Sequence, residues 1–294
     1  MSILYRKNRI FYFLLLCPAL LLYGFALLVP LFGGTFPYSF LKWNLMSGKK
    51  SFTGISNYVR LFSDSGFRSA FLFNLKLGLF TIIGSNIFAF VLAYFLNENI
   101  RAKGIVRSLF FIPNIISAVL VAFIWTFIFA QVLPGVAKIM GIDWLANISW
   151  FGTPQMASLT IIIVSIWQNV GFLMMIYTAG LQTIPTDIVE AARMDGCKGI
   201  RMIRYIQMPL LMPTFTINLF VSISGAFKAF DIPNAMTAGG PYGSTMPVAM
   251  DIYQEAFVKY NMGYGAAKSV VLFLTVAAIT VLQLYVTRKR EVEY

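Results

Sequence analysis

The chain has 294 residues, of which 59% are hydrophobic and 12% are charged. A soluble domain of this length needs more polar surface, so the composition excludes a soluble globular fold and predicts an all-α integral membrane protein. Basic residues outnumber acidic ones by 23 to 11, but they lie mostly between apolar runs, where membrane topology accounts for them without nucleic acid. Because the sequence contains no histidine, histidine-dependent catalytic triads and histidine zinc sites are also excluded.

Six apolar runs are long enough to cross a bilayer, since about 20 helical residues span a hydrocarbon core of roughly 30 Å. The first run follows Arg6, Lys7 and Arg9 and is longer than a signal-peptide core, so we expect it to remain as an anchor. The predicted transmembrane helices, all within a single transmembrane domain 1–294, are residues 11–32, 71–96, 108–130, 157–181, 210–230 and 264–287. Six crossings return the C-terminus to the side on which the chain starts.

The distribution of Lys and Arg predicts the orientation of these spans. With a cytoplasmic N-terminus, the inner segments hold 13 Lys and Arg, and the outer segments, which are longer in total, hold 7. Basic residues accumulate on the cytoplasmic side of membrane proteins, so both termini are predicted to be cytoplasmic. One outer segment goes against this rule, because it carries Lys42, Lys49, Lys50, Arg60 and Arg68.

The polar segment 182–209, between the fourth and fifth spans, is patterned like a small folded element. Asp187 and Glu190 have the spacing of a capping box, which predicts a short helix that starts at Ile188. Gly196 supplies the left-handed backbone that ends such a helix. A second helix is expected to run along the membrane surface as far as Pro209. It has a basic side and an apolar side, formed by Lys198, Arg201 and Arg204 and by Ile200, Ile203 and Ile206.

The order Glu-Ala-Ala, then Asp-Gly, then an isoleucine and a proline resembles the signature loop of a known family. These are the membrane-spanning subunits of binding-protein-dependent ABC importers, and the likeness is strongest to the carbohydrate-importer permeases, which have the type I ABC importer fold. In that family the loop docks on a cytoplasmic ATPase. The resemblance therefore assigns ATPase coupling to Glu190, Ala191, Ala192, Arg193, Asp195 and Gly196. The alternative is an ordinary amphipathic loop between two membrane helices.

Two outer segments add to the resemblance. Residues 51–62 (SFTGISNYVRLF) look like the external segment that the family places after its first helix, and we expect them to rest at the membrane interface. Residues 237–245, with Gly239, Gly240 and Pro241, look like the external Gly-Gly-Pro segment before the last helix, although a plain turn explains them equally well.

The resemblance implies an assembly in a bacterial inner membrane. Its other members would be a second related permease, two ATPase subunits and an extracellular or periplasmic binding protein that delivers a carbohydrate. The chain itself has no phosphate-binding loop, since the nearest match, Gly265 to Ser269, has Ala267 where a glycine is required. We therefore expect a non-catalytic subunit without a cofactor of its own, with ATP and magnesium held by the partner ATPase.

Polar side chains inside the predicted spans are candidates for the substrate path, because polar groups are costly in hydrocarbon. Gln168 and Asn169 lie in the fourth span and Asn218 and Ser222 in the fifth, and Trp167 could stack on a sugar ring. Amides suit sugar hydroxyls because they both donate and accept hydrogen bonds. The alternative, that these side chains only join helices to one another, stays open.

Asn86 in the second span is a weaker candidate for the substrate path, while Lys76, Lys228 and Lys268 are expected to extend toward the interface. Three other functions compete with the importer. A structural or assembly membrane protein fits the composition equally well, and co-purification with an ATPase would separate it from the importer. A proton- or sodium-coupled carrier would be expected to bury acidic residues in the membrane, and no Asp or Glu falls inside a predicted span. An intramembrane enzyme would need a clustered nucleophile and base, which the sequence does not show.

Overall fold

The structure, a computed structural model, describes residues 2–97, 103–289 and 291, with side chains from residue 11 onward. The predicted inner-side residues Arg101 and Arg290 lie outside the described residues. The chain forms two compact units. One comprises Met1–Asp64 with Ile252–Leu272, and the other comprises Ser65–Asp251 with Phe273–Tyr294.

The first unit begins with a long apolar helix. α1 (Ser2–Leu28) continues through the π-helical segment Val29–Thr35 into α2 (Phe36–Tyr38). Together they give a candidate span, Phe11–Tyr38, and none of its most apolar stretch is buried by the rest of the chain. A helix that is apolar on all sides and unburied is suited to lipid or to a partner helix.

A small hairpin and a short helix follow in the same unit. β1 (Leu41–Trp43) pairs antiparallel with β2 (Lys50–Phe52), and α3 (Ser56–Ser63) comes next. Asn44 forms an isolated bridge with Asn261, which joins the hairpin to the residues just before the last helix.

The first unit also contains a buried group of charges, and here the prediction for Lys268 is wrong. Its side chain does not extend to the interface but is 1% exposed, with Nζ 3.4 Å from Asp64 Oδ2 and 3.7 Å from Glu255 Oε2. Burial acts to raise the pKa of Glu255, but hydrogen bonds from Asn261 and Lys259 and the positive charges of both lysines outweigh it and hold the pKa below its usual range. Opposite charges thus compensate one another away from water.

The second unit begins with α4 (Ser65–Asn97), which is the longest helix in the described part of the chain. The third predicted span, 108–130, is not one continuous helix. α5 (Lys103–Ile115) ends before Ser117, whose ψ of 131° is extended, and α6 (Ala118–Phe127) then starts. Pro113 lies inside α5, where it removes the backbone hydrogen bond to the carbonyl of Leu109 and weakens the helix before this break. The π-helical segment Ile128–Val132 and α7 (Leu133–Ile139) extend α6 beyond the predicted end.

The core of the second unit lies around α9. The short helix α8 (Asp143–Ala146) precedes α9 (Pro154–Thr183), whose first turn is capped by Thr153, since Thr153 Oγ1 accepts a hydrogen bond from the Met156 N–H at 3.3 Å. α9 packs along α4 and α5, and it contributes to both hydrophobic clusters, one around Ile161 and the other around Met174.

A bent pair of helices covers the predicted surface helix of the polar segment and most of the fifth predicted span. After α10 (Thr186–Met194), α11 (Ile200–Met202), the π-helical segment Ile203–Gln207 and α12 (Met208–Leu210) run as one stretch. This stretch continues through Pro209, and the break comes at Leu211, where the chain bends by 75° into α13 (Met212–Phe227). The predicted second helix of the polar segment is therefore present, and it ends at Leu210, one residue later than its proline suggests.

The remaining helices are α14 (Asp231–Thr237), α15 (Val248–Tyr253), the π-helical segment Gln254–Val258 and α16 (Met262–Arg288). Within the second unit, α14 packs against α6 and α9. By length and apolar composition, five helices in the described part of the chain could cross a membrane, or six if the bent pair counts as one. The predicted all-α membrane fold is confirmed.

Candidate functional site

The predicted coupling helix is present as α10, but its N-terminus differs from the prediction. The helix starts at Thr186 rather than Ile188, Pro185 occupies the cap position, and no side chain caps the helix. Asp187 lies inside the first turn, so the predicted capping box with Glu190 does not form. The proline explains this shift, since it holds Ile184 in an extended conformation and brings the helix start forward. Asp187 can still favour the helix through its position at the positive end of the dipole.

The C-terminal end of α10 is as predicted. Gly196 has a φ of +78°, the left-handed conformation that a side chain rarely adopts. The Cys197 N–H donates to the Ala192 carbonyl at 2.9 Å and the Gly196 N–H donates to the Arg193 carbonyl at 3.1 Å. These two bonds are those of a Schellman motif, so α10 ends in a defined, hydrogen-bonded turn.

Most of the six predicted coupling residues face away from the fold. Glu190, Ala191, Arg193, Asp195 and Gly196 are exposed, and a side chain built at Gly196 would meet nothing within 4 Å. The exception is Ala192, which is 7% exposed and faces inward. Glu190 and Arg193 also line a shallow groove of about 320 Å³. α10 thus presents a polar surface of charged side chains on a helix with a fixed end.

A cavity of about 230 Å³ lies among the helices of the second unit. It is lined by side chains from α4, α9, α13 and the start of α14. Three of the predicted substrate-path residues, Gln168, Asn169 and Ser222, line it. The amide nitrogen of Gln168 is 3.4 Å from the Ile116 carbonyl, and the amide nitrogen of Asn169 is 2.7 Å from the Ser165 carbonyl. Within the described part of the chain, hydrogen bonds are seen for the nitrogen of each amide but not for its oxygen.

The other two predicted substrate-path residues lie elsewhere. Asn218 is fully buried, and its amide donates to the Leu173 carbonyl at 3.3 Å. Trp167 is 40% exposed and packs edge-on against Trp125, with ring centroids 5.3 Å apart. Neither residue is among those that line the cavity. For Asn218, the alternative of a helix-joining role describes the structure better.

A chain of hydrogen bonds connects three helices beside the cavity. The Tyr177 hydroxyl on α9 donates to Asn86 Oδ1 on α4 at 2.7 Å, and Asn86 Nδ2 donates to Ser222 Oγ on α13 at 3.0 Å. Ser222 Oγ in turn donates to the Asn218 carbonyl at 2.6 Å. Of the four residues joined by these hydrogen bonds, Ser222 is the one that also lines the cavity.

Several cavity residues were missed by reasoning from the sequence. Those are Thr81, Ser85, Gly225, Lys228 and Asp231. Thr81 and Ser85 are one helical turn apart on α4, a spacing that could have indicated a shared polar face. Gly225 gave no signal at all, although a side chain there would meet nothing within 4 Å and would enter the cavity. Lys228 lines the cavity as well as being exposed.

The Gly-Gly-Pro segment forms a closed turn. The Thr237 and Thr245 hydroxyls are 2.8 Å apart, and Thr245 Oγ1 donates to the Gly240 carbonyl at 2.6 Å. The Gly240–Pro241 peptide bond is cis, and Tyr242 at the tip is almost fully exposed. The segment is thus an ordered loop with one projecting aromatic side chain.

Known proteins similar to this chain are transport permeases. The chain is 37% identical over 287 residues to a probable starch degradation products transport system permease protein, AmyD of Thermoanaerobacterium thermosulfurigenes, with 98% of this chain and 97% of AmyD covered. It is 34% identical over 263 residues to the multiple sugar-binding transport system permease protein MsmF of Streptococcus mutans, with 90% of each chain covered.

A solved structure has the same fold. It is a chain of a bacterial alginate ABC transporter in complex with a periplasmic protein bound to alginate pentasaccharide, and it aligns with a TM-score of 0.80 at 19% identity over 98% of both chains. Residues 85–292 match the family described as the binding-protein-dependent transport system inner membrane component. With this match over most of its length, the chain belongs to that family and is a permease subunit of a binding-protein-dependent ABC importer.

Proposed function

We propose that this permease moves a sugar or oligosaccharide across the bacterial inner membrane, after delivery by an external binding protein. The names of the relatives AmyD and MsmF support a carbohydrate. The cavity supports it too, since amides and hydroxyls line it together with apolar side chains. These groups can hydrogen-bond to a sugar without removing a charge from water.

The proposed assembly contains a second related permease and two ATPase subunits. A cavity of 230 Å³ is smaller than the roughly 300–1,000 Å³ of typical ligand pockets, which favours a path completed by another chain. The chain has no phosphate-binding loop of its own, so ATP and magnesium would be bound by the ATPase subunits. Both termini and α10 would lie in the cytoplasm, in agreement with the distribution of Lys and Arg.

The exposed helix α10 is the single observation that carries the coupling mechanism. Its outward charged side chains offer a docking surface, and its Schellman turn ends it rigidly at Gly196. ATP would draw the ATPase subunits together and move α10 with them, which turns the cavity toward the outside. The energy enters because ATP binds one arrangement of the assembly more tightly than the other.

The test is to replace Gly196 by Val in the assembled importer and to replace Gly141 by Val as a matched control. Both glycines have a left-handed backbone, with φ of +78° and +67°, and both have nothing within 4 Å of an added side chain. Left-handed backbone costs a residue with a Cβ about 1–2 kcal/mol. Only the Gly196 change distorts α10.

We expect Gly196→Val to remove binding-protein-stimulated ATP hydrolysis and uptake of labelled maltotriose, while Gly141→Val keeps both. Membrane insertion should be equal in the two variants. If Gly196→Val retained full stimulation and uptake, α10 would not be the coupling element. If the unchanged importer failed to take up any of a panel of sugars and oligosaccharides, the carbohydrate assignment would be wrong, while the coupling result from stimulated ATP hydrolysis still stood.

A further inference from the structure

The short helix α3 exposes large apolar side chains and buries a polar one, which is the reverse of the pattern expected for a helix on the surface of a soluble protein. Its buried residues are Asn57 and Leu61, at 8% and 5% exposure. Val59 and Phe62 are exposed by 59% and 86%. Helical spacing puts them on one face, which Ile55 at the cap position extends with 67% exposure. Phe52, at the end of β2 just before the helix, is also exposed, by 79%. We call these four residues the apolar stripe.

The polar side of α3 is fixed to the end of the first span. The Asn57 amide donates to the carbonyls of Ser39 and Leu41 at 2.8 and 3.0 Å. The Tyr58 hydroxyl and Ser39 Oγ are 2.6 Å apart. Since the candidate span Phe11–Tyr38 ends immediately before Ser39, these bonds fix α3 to the end of that span.

A second set of contacts fixes α3 to the start of the last span. The Arg60 guanidinium lies 4.1 Å from the centre of the Tyr264 ring, in the first turn of α16. Arg60 also approaches Glu255, with 3.9 Å between Nη2 and Oε1. The Tyr264 hydroxyl donates to Asp64 Oδ2, directly after α3, at 2.7 Å. α3 is therefore held at the ends of two candidate spans of the same unit.

We propose that α3 lies on the outer surface of the bilayer with its apolar stripe inserted among the lipids. Three large apolar side chains on one face of α3, with the exposed Phe52 just before the helix, are an unfavourable surface to leave in water. A helix held where two spans meet the interface has lipid within reach, and amphipathic helices bury an apolar face about 5–10 Å into the boundary between headgroups and acyl chains. The occupant is thus the phospholipid surface.

The charges around α3 agree with this position. Lys42, Lys49 and Lys50 on the preceding hairpin are exposed, as is Arg60. They are four of the five basic residues of the outer segment that goes against the positive-inside rule. Lipid phosphates attract such cations at an interface, which gives these residues a role on the outer side. The assignment of α3 to the outer side of the membrane rests on the proposed function. The insertion of the apolar stripe into lipid does not depend on it.

The experiment measures the accessibility of spin labels in the assembled importer, reconstituted into vesicles of phosphatidylethanolamine and phosphatidylglycerol. In a background with Cys17→Ser and Cys197→Ser, single cysteines replace Ile55, Val59 or Phe62 and carry a nitroxide. Control labels replace Ser56, in the first turn of the same helix, or Lys49, in the hairpin loop, and both residues are exposed and lie off the stripe. Molecular oxygen, which concentrates in lipid, and a water-soluble nickel complex report the surroundings of each label.

We expect labels on the stripe to collide with oxygen several-fold more, relative to nickel, than the control labels do. Nickel accessibility as high as at Ser56 would show that water covers the stripe and would overturn the proposal. Protection from both reagents would show a protein cover, such as the second permease or the binding protein, and would overturn it equally. If labels prevent assembly, Phe62→Trp serves instead, and brominated lipids should quench its added fluorescence more than that of Ser56→Trp. Because neither measurement uses ATP or a sugar, failure of the transport assignment leaves its result intact.

Discussion

Two groups of polar side chains share the same three helices, α4, α9 and α13, yet the structure uses them differently. Asn86, Tyr177 and Asn218 are enclosed and bond to one another's helices, whereas Gln168 and Asn169 face a cavity. Ser222 belongs to both groups. The comparison teaches that a polar residue in a transmembrane helix has two separate uses, and that its neighbours rather than its type decide between them.

The largest expected effect is on stability, and it compares a glycine where two helices pack closely with a glycine that lines the cavity. A Cβ added at Gly171 on α9 would overlap the carbonyl of Phe110, where α5 and α9 approach closely, whereas one added at Gly225 meets nothing within 4 Å. Overpacking costs typically about 1–3 kcal/mol, and more where backbone is the obstacle. Gly171→Ala should therefore lower the thermal unfolding temperature clearly, and Gly225→Ala should leave it nearly unchanged. Equal stability of the two variants would remove the distinction.

The next effect is on uptake, and it tests the cavity alone. A leucine at Gly225 would project into the cavity and occupy space that a solute needs, so we expect uptake to fall about tenfold or more. The unfolding temperature should not change. Gly104→Leu is the control, since that glycine also has open space around it but does not line the cavity. Uptake by Gly225→Leu at the level of this control would show that the cavity is not on the path.

A smaller effect is expected when one cavity amide is removed. Gln168→Ala deletes a side chain that we expect to bond to a sugar hydroxyl, and one hydrogen bond contributes about 0.5–1.5 kcal/mol. The KM for uptake should rise by about three- to tenfold. Gln155→Ala, which removes an exposed amide near the start of the same helix and away from the cavity, should leave the KM unchanged.

The smallest effect belongs to the enclosed group. Tyr177→Phe removes the hydroxyl that donates to Asn86, and hydrogen bonds between transmembrane helices contribute about 0.6 kcal/mol on average. We expect a slight fall in the unfolding temperature and no change in KM. A change in KM without loss of stability would instead move Tyr177 into the substrate path and break the comparison.

In the polar segment 182–209, local sequence signals predicted most of the secondary structure. The helix, its left-handed end at Gly196 and the basic helix after it all follow from residues close together in the chain. The start of α10 did not follow from the capping pattern, because Pro185 imposed its own backbone restriction on the residues around it. Likewise, the bend at Leu211 came two residues after the proline that the sequence suggested.

Local sequence signals did not predict the surroundings of polar side chains inside the helices. Gln168 and Asn218 have the same chemistry and both lie in apolar runs, yet one lines a cavity and the other is sealed. The sequence placed Lys268 at the interface, but its side chain is buried. It pairs with Asp64, 204 positions earlier in the chain, and with Glu255. Contacts between residues far apart in sequence decided each of these cases.

The amino-acid sequence by itself determined that the chain is a helical membrane protein, because long apolar runs have no other stable environment. It also determined that a short helix, α10, ends in a left-handed turn at Gly196, because helix ends are set by nearby residues. Only the tertiary structure decided which polar groups are enclosed, which face the cavity and which way α3 turns its apolar stripe. The physical reason is that burial depends on the packing of several helices, and no single stretch of chain carries that information.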